Sequence, residues 1–557
     1  MIHRLRAPGR LVPTVLAVFC LCALVAVLAG LVLPSAAAIV PVLDRQAAVS
    51  AAARSRLGRA FLFTLFQAGM SALTACVLGL PAAFLAARRN FPGRRFLLAL
   101  SGVPLCVPPA IIALAFVLFY GRQGYLNVFL MRVFSLSEPP VTFLYSTAGL
   151  IIAHGLYNFP VVLRTVSRVW ELLPANREEA AVLLGAGRLR LFRTIILPQI
   201  APPVVSSFLL VFLYCFFSFV IVLLFGGIGG TTLEVELYQA ARNVLNFRFA
   251  AMIAIVETLA AGTIVFLYVS AERKLGRAAG AIGPVRSRSA FSGPGEGLFA
   301  GIYLALIAVF FVGPLLSVPL RSVLVTGSAR DTVVSLEAWR SFTVSRAFMP
   351  ALINTLLVGA GTAFLACGAA LAYGLFPFVG KYRAVRPGPA FLPKVFGAAS
   401  AALPFTPLAV SSIMLGFGWT ILVPRGSSLV LIVAQASLAW PFAWVQLSGA
   451  LSRIPKPVLE ASLLLSSSPL DAAFRVYLPL VKRGVLTSFA FVFAISAGDA
   501  TLPLVLSLPR FENLALLVFR LAGSYRFAEA CVCATVIALL CGAVFFVQDS
   551  EGGMVYD

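Results

Sequence analysis

The feature that most limits what this chain can fold into is a series of twelve apolar runs, each long enough to cross a lipid bilayer. A spanning helix needs about 20 such residues. Runs of that length lie near 11–33, 60–86, 97–120, 141–163, 200–225 and 249–269, and again near 298–320, 350–379, 397–423, 427–449, 481–507 and 527–547. Of 557 residues 61% are hydrophobic and only 11% charged, whereas soluble proteins carry roughly 25% charge. Water cannot be the main solvent. Inside a bilayer every backbone N–H and C=O must be satisfied within the protein, so the predicted fold is an all-α integral membrane protein of about twelve transmembrane helices.

The first run must be told apart from a signal peptide. Arg4, Arg6 and Arg10 precede it, and Ser35-Ala36-Ala37-Ala38 imitates a cleavage site. Signal-peptide cores run about 7–15 residues, and the stretch from Leu11 to Leu33 is longer. It reads as the first span.

Lys and Arg total 43 against 20 Asp and Glu. In a soluble chain that excess points to nucleic acid, but here the charge sits in short loops between spans and reports orientation instead. No nucleic-acid partner is expected; the lipid bilayer is. With both termini in the cytoplasm, 27 of the 43 basic residues fall on the inner side, including Arg88, Arg89, Arg94 and Arg95, then Arg273, Lys274, Arg277, Arg286 and Arg288. The positive-inside rule therefore predicts both ends inside.

The two sets of six runs repeat. Thr64, Ala72, Ala75, Cys76 and Leu80 return as Thr355, Ala363, Ala366, Cys367 and Leu371, all 291 positions later. Pro160, Pro174, Glu179, Leu197, Pro198, Ser207, Phe208, Val211 and Phe212 return as Pro441, Pro455, Glu460, Leu478, Pro479, Ser488, Phe489, Val492 and Phe493, 281 positions later. Apolar matches of this kind arise by chance, but Glu and Pro recurring in polar loops do not. An even number of spans per copy gives both copies the same orientation, so the repeat is parallel. The expected organisation is one unit over 1–275, a cytoplasmic linker over 276–297, and a second unit over 298–557.

Most of the nine Cys lie inside apolar runs (Cys76, Cys106, Cys215, Cys367, Cys531, Cys533 and Cys541), where a thiol behaves as a small hydrophobe. With no CxxC pair and only His3 and His154, no disulfide framework or metal site is predicted. No G-x-x-x-x-G-K-[ST] phosphate loop occurs; Gly380-Lys381 is followed by Tyr382. The sequence offers no means of binding ATP.

The longest inner polar segments are 164–199 and 450–483, one per copy. The first carries Glu179-Ala180-Ala181, then Gly185, then Ile195 and Leu197-Pro198. The second keeps Glu460-Ala461, Leu478 and Pro479, with Ser462, Ser466 and Val476 at the intervening positions. Ala-rich turns favour a short helix, a Gly lets the chain reverse, and a Pro marks the start of the next helix. A solvated connector without a special role is the bland alternative. At every signature position, however, the first segment resembles the EAA loop of ATP-binding-cassette importer permeases, and the second is a degenerate copy. The resemblance covers nearly the whole chain. It implies a transport subunit, not an enzyme, with no cofactor of its own and with ATP and Mg bound by a partner. Two copies of an ATPase subunit would dock on the loops, and a periplasmic or lipid-anchored substrate-binding protein would deliver cargo.

Two permease units in one polypeptide resemble the importers of thiamine and of ferric iron. Gly226-Gly227, Thr231-Thr232-Leu233-Glu234, Leu237-Tyr238-Gln239-Ala240, Gly498-Asp499 and Gly523-Ser524-Tyr525-Arg526 are similar to the thiamine family. An ion-driven secondary transporter also has parallel six-helix halves, but does not need paired EAA loops. Thiamine is an aromatic cation, so its path should offer an acid and ring faces. Asp499 and Glu257 are acids placed well inside predicted spans, where charges are usually functional. Phe216, Phe217, Phe219, Trp440 and Trp444 could supply stacking. Against this, Glu257 could pair with an Arg, Asp499 could be structural, and the rings could be packing. His154 reads as a satisfied core or pore-wall residue.

Overall fold

A computed structural model describes residues 11–43, 50–100, 107–225, 230–278, 288–326, 332–385, 403–466 and 468–550. Helix dominates, as a bilayer demands. Among the described residues the strands are a two-stranded antiparallel ladder pairing Leu324–Thr326 with Thr332–Val334. The principal helices are α1 (Leu11–Ile39), α2 (Ala51–Arg88), α3 (Pro109–Tyr120), α4 (Thr147–Glu171), α5 (Ala175–Leu183), α6 (Leu197–Phe216), α7 (Val220–Phe225), α8 (Leu233–Tyr238), α9 (Phe247–Ala278), α10 (Pro294–Ile307) and α11 (Gly313–Val323). They continue with α12 (Phe348–Val385), α13 (Ser412–Leu422), α14 (Ser428–Leu451), α15 (Lys456–Leu465), α16 (Leu478–Ala497), α17 (Thr501–Leu506), α18 (Leu514–Gly523) and α19 (Phe527–Ser550).

Among the described residues ten helices are long and apolar enough to cross a membrane, and a pair bent by 89°, Leu403–Ala409 with α13, makes an eleventh. The last expected run is the apolar stretch Phe527–Ala543 of α19. Two expected spans differ in form. The runs 200–225 and 481–507 are each broken, at residues 217–219 between α6 and α7 and at residues 498–500 between α16 and α17.

The repeat is visible in the backbone. Elements 147–171, 197–216 and 220–225 start 281 positions before 428–451, 478–497 and 501–506. The first begins on an N-cap Ser in both copies, Ser146 and Ser427, whose side chain accepts from the amide three residues on. Thr64 Oγ1 accepts from the Leu233 amide at 2.9 Å, and Thr355 Oγ1 accepts from the Leu514 amide at 2.9 Å. The same bond thus joins equivalent residues in each copy.

By contacts the chain forms two compact units. One comprises Met1–Asp44, Phe342–Leu517 and Val536–Asp557; the other comprises Arg45–Ser341 and Val518–Thr535. This grouping is of a different kind from the sequence repeat divided at 276–297. In the first unit α1 packs on α12, α13 and α14. The approach is close: a Cβ at Gly418 would lie 1.9 Å from the Pro34 carbonyl oxygen, and one at Gly30 would lie 2.4 Å from Val433. Small residues at such crossings replace the hydrophobic drive that lipid cannot provide. Ser437 Oγ adds a bond to the Val27 carbonyl at 2.9 Å. In the second unit α2 packs on α4 and α6, α6 on α9, and α11 on α3.

Candidate functional site

The two predicted loops share a short helix and a π turn and differ in how the short helix ends. In the first, α5 ends at Gly185, whose φ of +80° lies in the left-handed region. The Gly185 amide bonds to the Val182 carbonyl and the Ala186 amide to the Ala181 carbonyl, both at 2.9 Å. These two bonds make a Schellman ending, which favours glycine because it has no Cβ to clash. Glu179 and Ala180 are exposed on α5, with Ala181 partly so.

A single π turn, Phe192–Ile196, then leads into α6, where Leu197 and Pro198 open the helix. Proline brings no N–H, and its ring would collide with the carbonyl four residues back. A π turn widens the coil at that point. The second loop repeats the arrangement: π turn Ala473–Tyr477, then Leu478 and Pro479 opening α16.

The degenerate position has a visible consequence. Ser466, where the first loop has Gly185, adopts extended backbone (φ −81°, ψ 143°) instead of the left-handed form. Without glycine the helix stops by a different route. Glu460 and Ala461 are exposed on α15, as Glu179 and Ala180 are on α5.

Sequence reasoning missed the apolar tips of these loops. Leu183 and Leu184 are each 88% exposed, and their equivalents Leu464 and Leu465 are 69% and 87% exposed. Leucines so bare stand out in polar segments. Their recurrence 281 positions apart was the available signal.

It also missed what anchors the first loop. Glu178, beside the signature Glu179, is buried and ion-paired with Arg88 at the end of α2. Arg94 reaches Glu171 at the end of α4 at 2.5 Å, and Arg288 reaches the same carboxylate at 3.3 Å. Arg89 pairs with Glu296 at 2.7 Å. The loop helix is therefore tied through charge to α2, whose own end is tied to α4 and to the start of α10.

The predicted path residues fall into two groups, one per unit. In one, Phe216 is buried, stacked with Phe212 at 6.2 Å and edge-on to Phe217 at 5.4 Å. Phe219 packs on Tyr238 at 5.1 Å, and Glu257 is buried within α9. In the other, Trp440 is buried and Trp444 partly exposed, and both meet Tyr373, at 5.9 and 4.6 Å.

Asp499 sits in the 498–500 break. Its Oδ1 accepts from the Thr501 and Leu502 amides at 2.8 and 3.4 Å, capping α17, and its Oδ2 accepts from Gln435 Nε2 at 3.0 Å. This geometry favours the structural of the two expected roles. His154 is buried with Nε2 2.8 Å from Ser218 Oγ. Of the segments read as thiamine-like, Gly226-Gly227 lies outside the described residues.

Residues 79–275 match the family described as binding-protein-dependent transport system inner membrane component. That stretch contains the first loop and the helices on either side. The thiamine transport system permease protein of Brucella abortus (strain 2308) is 29% identical over 516 residues, covering 88% of this chain and 87% of that protein. Its counterpart from Escherichia coli (strain K12) is 28% identical over 506 residues, covering 88% of each. A putative 2-aminoethylphosphonate transport system permease protein of Salmonella typhi is 33% identical over 186 residues, covering 33% of this chain and 64% of that protein.

Proposed function

We propose that this chain is a binding-protein-dependent transport permease and that it forms the membrane path of an importer for thiamine or its phosphate esters. The observation that carries the cargo is coverage. Likeness to thiamine permeases runs through both copies, over 88% of the chain, whereas likeness to the phosphonate permease stops at 33%.

The transport cycle is alternating access driven by two copies of a separate ATPase, with cargo delivered by a periplasmic or lipid-anchored binding protein. The units 1–275 and 298–557 act as the paired permeases, joined by a cytoplasmic linker, with both termini inside. Glu179, Ala180, Ala181, Gly185, Leu197 and Pro198, with Glu460, Ala461, Ser466, Leu478 and Pro479, form the two ATPase-coupling loops. The exposed leucine pairs at their tips support that reading, since an apolar knob left in water calls for a partner groove. Phe216, Phe217, Phe219, Trp440, Trp444 and Glu257 supply ring faces and an acid along the path, and Asp499 holds its geometry.

The test is uptake into proteoliposomes holding this chain, its ATPase and its binding protein. ATP-dependent accumulation of labelled thiamine, undiminished by ferric iron, is expected. Ferric iron uptake without thiamine uptake would replace the cargo, and accumulation driven by an ion gradient without ATP would overturn the mechanism.

A further inference from the structure

The fifth span of each copy is broken at the same three positions, residues 217–219 and residues 498–500. Kinks are usually attributable to Pro, Gly or an inserted group, and Gly498 could explain the second break. The first break reads Phe217-Ser218-Phe219, with neither. Pro and Gly therefore do not account for both breaks, and what the two share is a side-chain bridge from a neighbouring helix.

Those contacts correspond by position and differ in chemistry. His154 and Gln435 occupy equivalent places on α4 and α14, and Ser218 and Asp499 occupy equivalent places in the two breaks, each 281 apart. His154 Nε2 lies 2.8 Å from Ser218 Oγ, and Gln435 Nε2 donates to Asp499 Oδ2 at 3.0 Å. Around each bridge further side chains satisfy the interrupted backbone. Gln67 Nε2 donates to the Cys215 carbonyl at 2.8 Å, and Asn513 Nδ2 donates to the Asp499 carbonyl at 2.9 Å. Ser496 Oγ donates to Gln435 Oε1 at 2.6 Å.

A break at membrane depth is tolerated only where such groups replace the lost ladder, and polar side chains placed there are costly unless used. A single side-chain bridge can open and re-form without unfolding a helix. The buried His154 Nδ1 has no partner among the described residues, which leaves the ring a second bond to make once the break moves.

We propose that the His154–Ser218 and Gln435–Asp499 bridges are a matched pair of clasps that set the position of α7 and α17 relative to α4 and α14, and that they open and close as the permease changes state. These are positioning residues. The inference rests on the transporter reading above but does not depend on the cargo, so its test reads motion and not uptake.

In proteoliposomes with the ATPase, single cysteines at Leu223 and at its equivalent Leu504 are labelled with and without nucleotide trapped by vanadate, in chains whose native cysteines are replaced. The clasped chain should show a clear contrast between the two conditions. His154→Leu should reduce that contrast at Leu223→Cys by about fivefold or more, the population change that loss of one buried hydrogen bond produces. Ser218→Ala, a smaller change, should do the same if His154→Leu fails to assemble. The paired variant His154→Gln with Ser218→Asp, which installs the second copy's clasp in the first, should restore the contrast. Wild-type contrast in both disrupted variants would overturn the proposal, as would a paired variant no better than His154→Leu. If thiamine is never taken up while these contrasts behave as stated, the cargo assignment fails and the clasps stand.

Discussion

Replacing Gly185 isolates how far one backbone angle controls the first of the two loops proposed to couple to an ATPase. Its φ of +80° is one that L-residues resist, at roughly 1–2 kcal/mol per residue. No atom lies within 4 Å of a Cβ built there, so Gly185→Ala adds conformational cost and no collision. That cost corresponds to about a 5- to 30-fold smaller share of loops in the Schellman form. Asn tolerates the left-handed region better than Ala, and Val worse. Co-purification with the ATPase, and the ATPase rate it supports in the complex, should therefore fall in the order Gly, Asn, Ala, Val. Gly187→Ala is the control: Gly187 is equally uncrowded but has no positive φ, and that variant should sit near wild type. A Gly185→Val chain that binds and stimulates its ATPase normally would refute the reasoning, because the left-handed turn would then play no part in docking.

Three further outcomes are expected. Thr64→Val and Thr355→Val each strand one buried amide, of Leu233 and Leu514, and each should cost about 1–3 kcal/mol; thermal unfolding in detergent should show two similar, additive losses, and a loss in one copy alone would break the equivalence. Glu178→Gln leaves Arg88 without its buried counter-charge and should destabilise by about 3 kcal/mol, whereas Arg88→Met with Glu178→Leu should recover most of it; no loss in the single variant would remove the anchoring role. A cysteine introduced by Arg188→Cys should stay unlabelled by an impermeant reagent added to intact cells and react once the membrane is opened. Ready labelling from outside would reverse the topology.

The span count and the repeat were legible because lipid imposes them. Twenty apolar residues in a row have one use, and paired Glu and Pro positions in polar loops survive where apolar identities mean little. The Gly185 turn and the Pro198 helix start were legible because glycine and proline act through their own backbones. The break at 217–219 was not, since hydropathy runs unbroken through Phe217-Ser218-Phe219 and the bridge to His154 comes from another helix; at 498–500 Gly498 and Asp499 were visible, but their partner Gln435 was not. The clasps escaped for a related reason: His154 and Gln435 share a place but no chemistry, so comparison by identity passed over them. Glu178 was hidden beside a better-known neighbour. Only burial distinguishes the two glutamates, one turned to Arg88 and one left in water.

The grouping of residues up to Asp44 with Phe342–Leu517 has a consequence for how the protein is made. α1 leaves the ribosome well before the helices it packs against, which begin at Phe348, Ser412 and Ser428. At about 5–20 residues per second, that is a wait of roughly 15 to 60 seconds for the earliest of them. Apolar along almost its whole length, the segment can spend the interval alone in lipid. Its close-fitting surface at Gly30 and Pro34 is meanwhile open to other chains, so assembly is most vulnerable to mispairing during synthesis. Two separately expressed pieces divided between α9 and α10 would carry that vulnerability permanently, because one piece would hold α1 and the other all three of its packing partners.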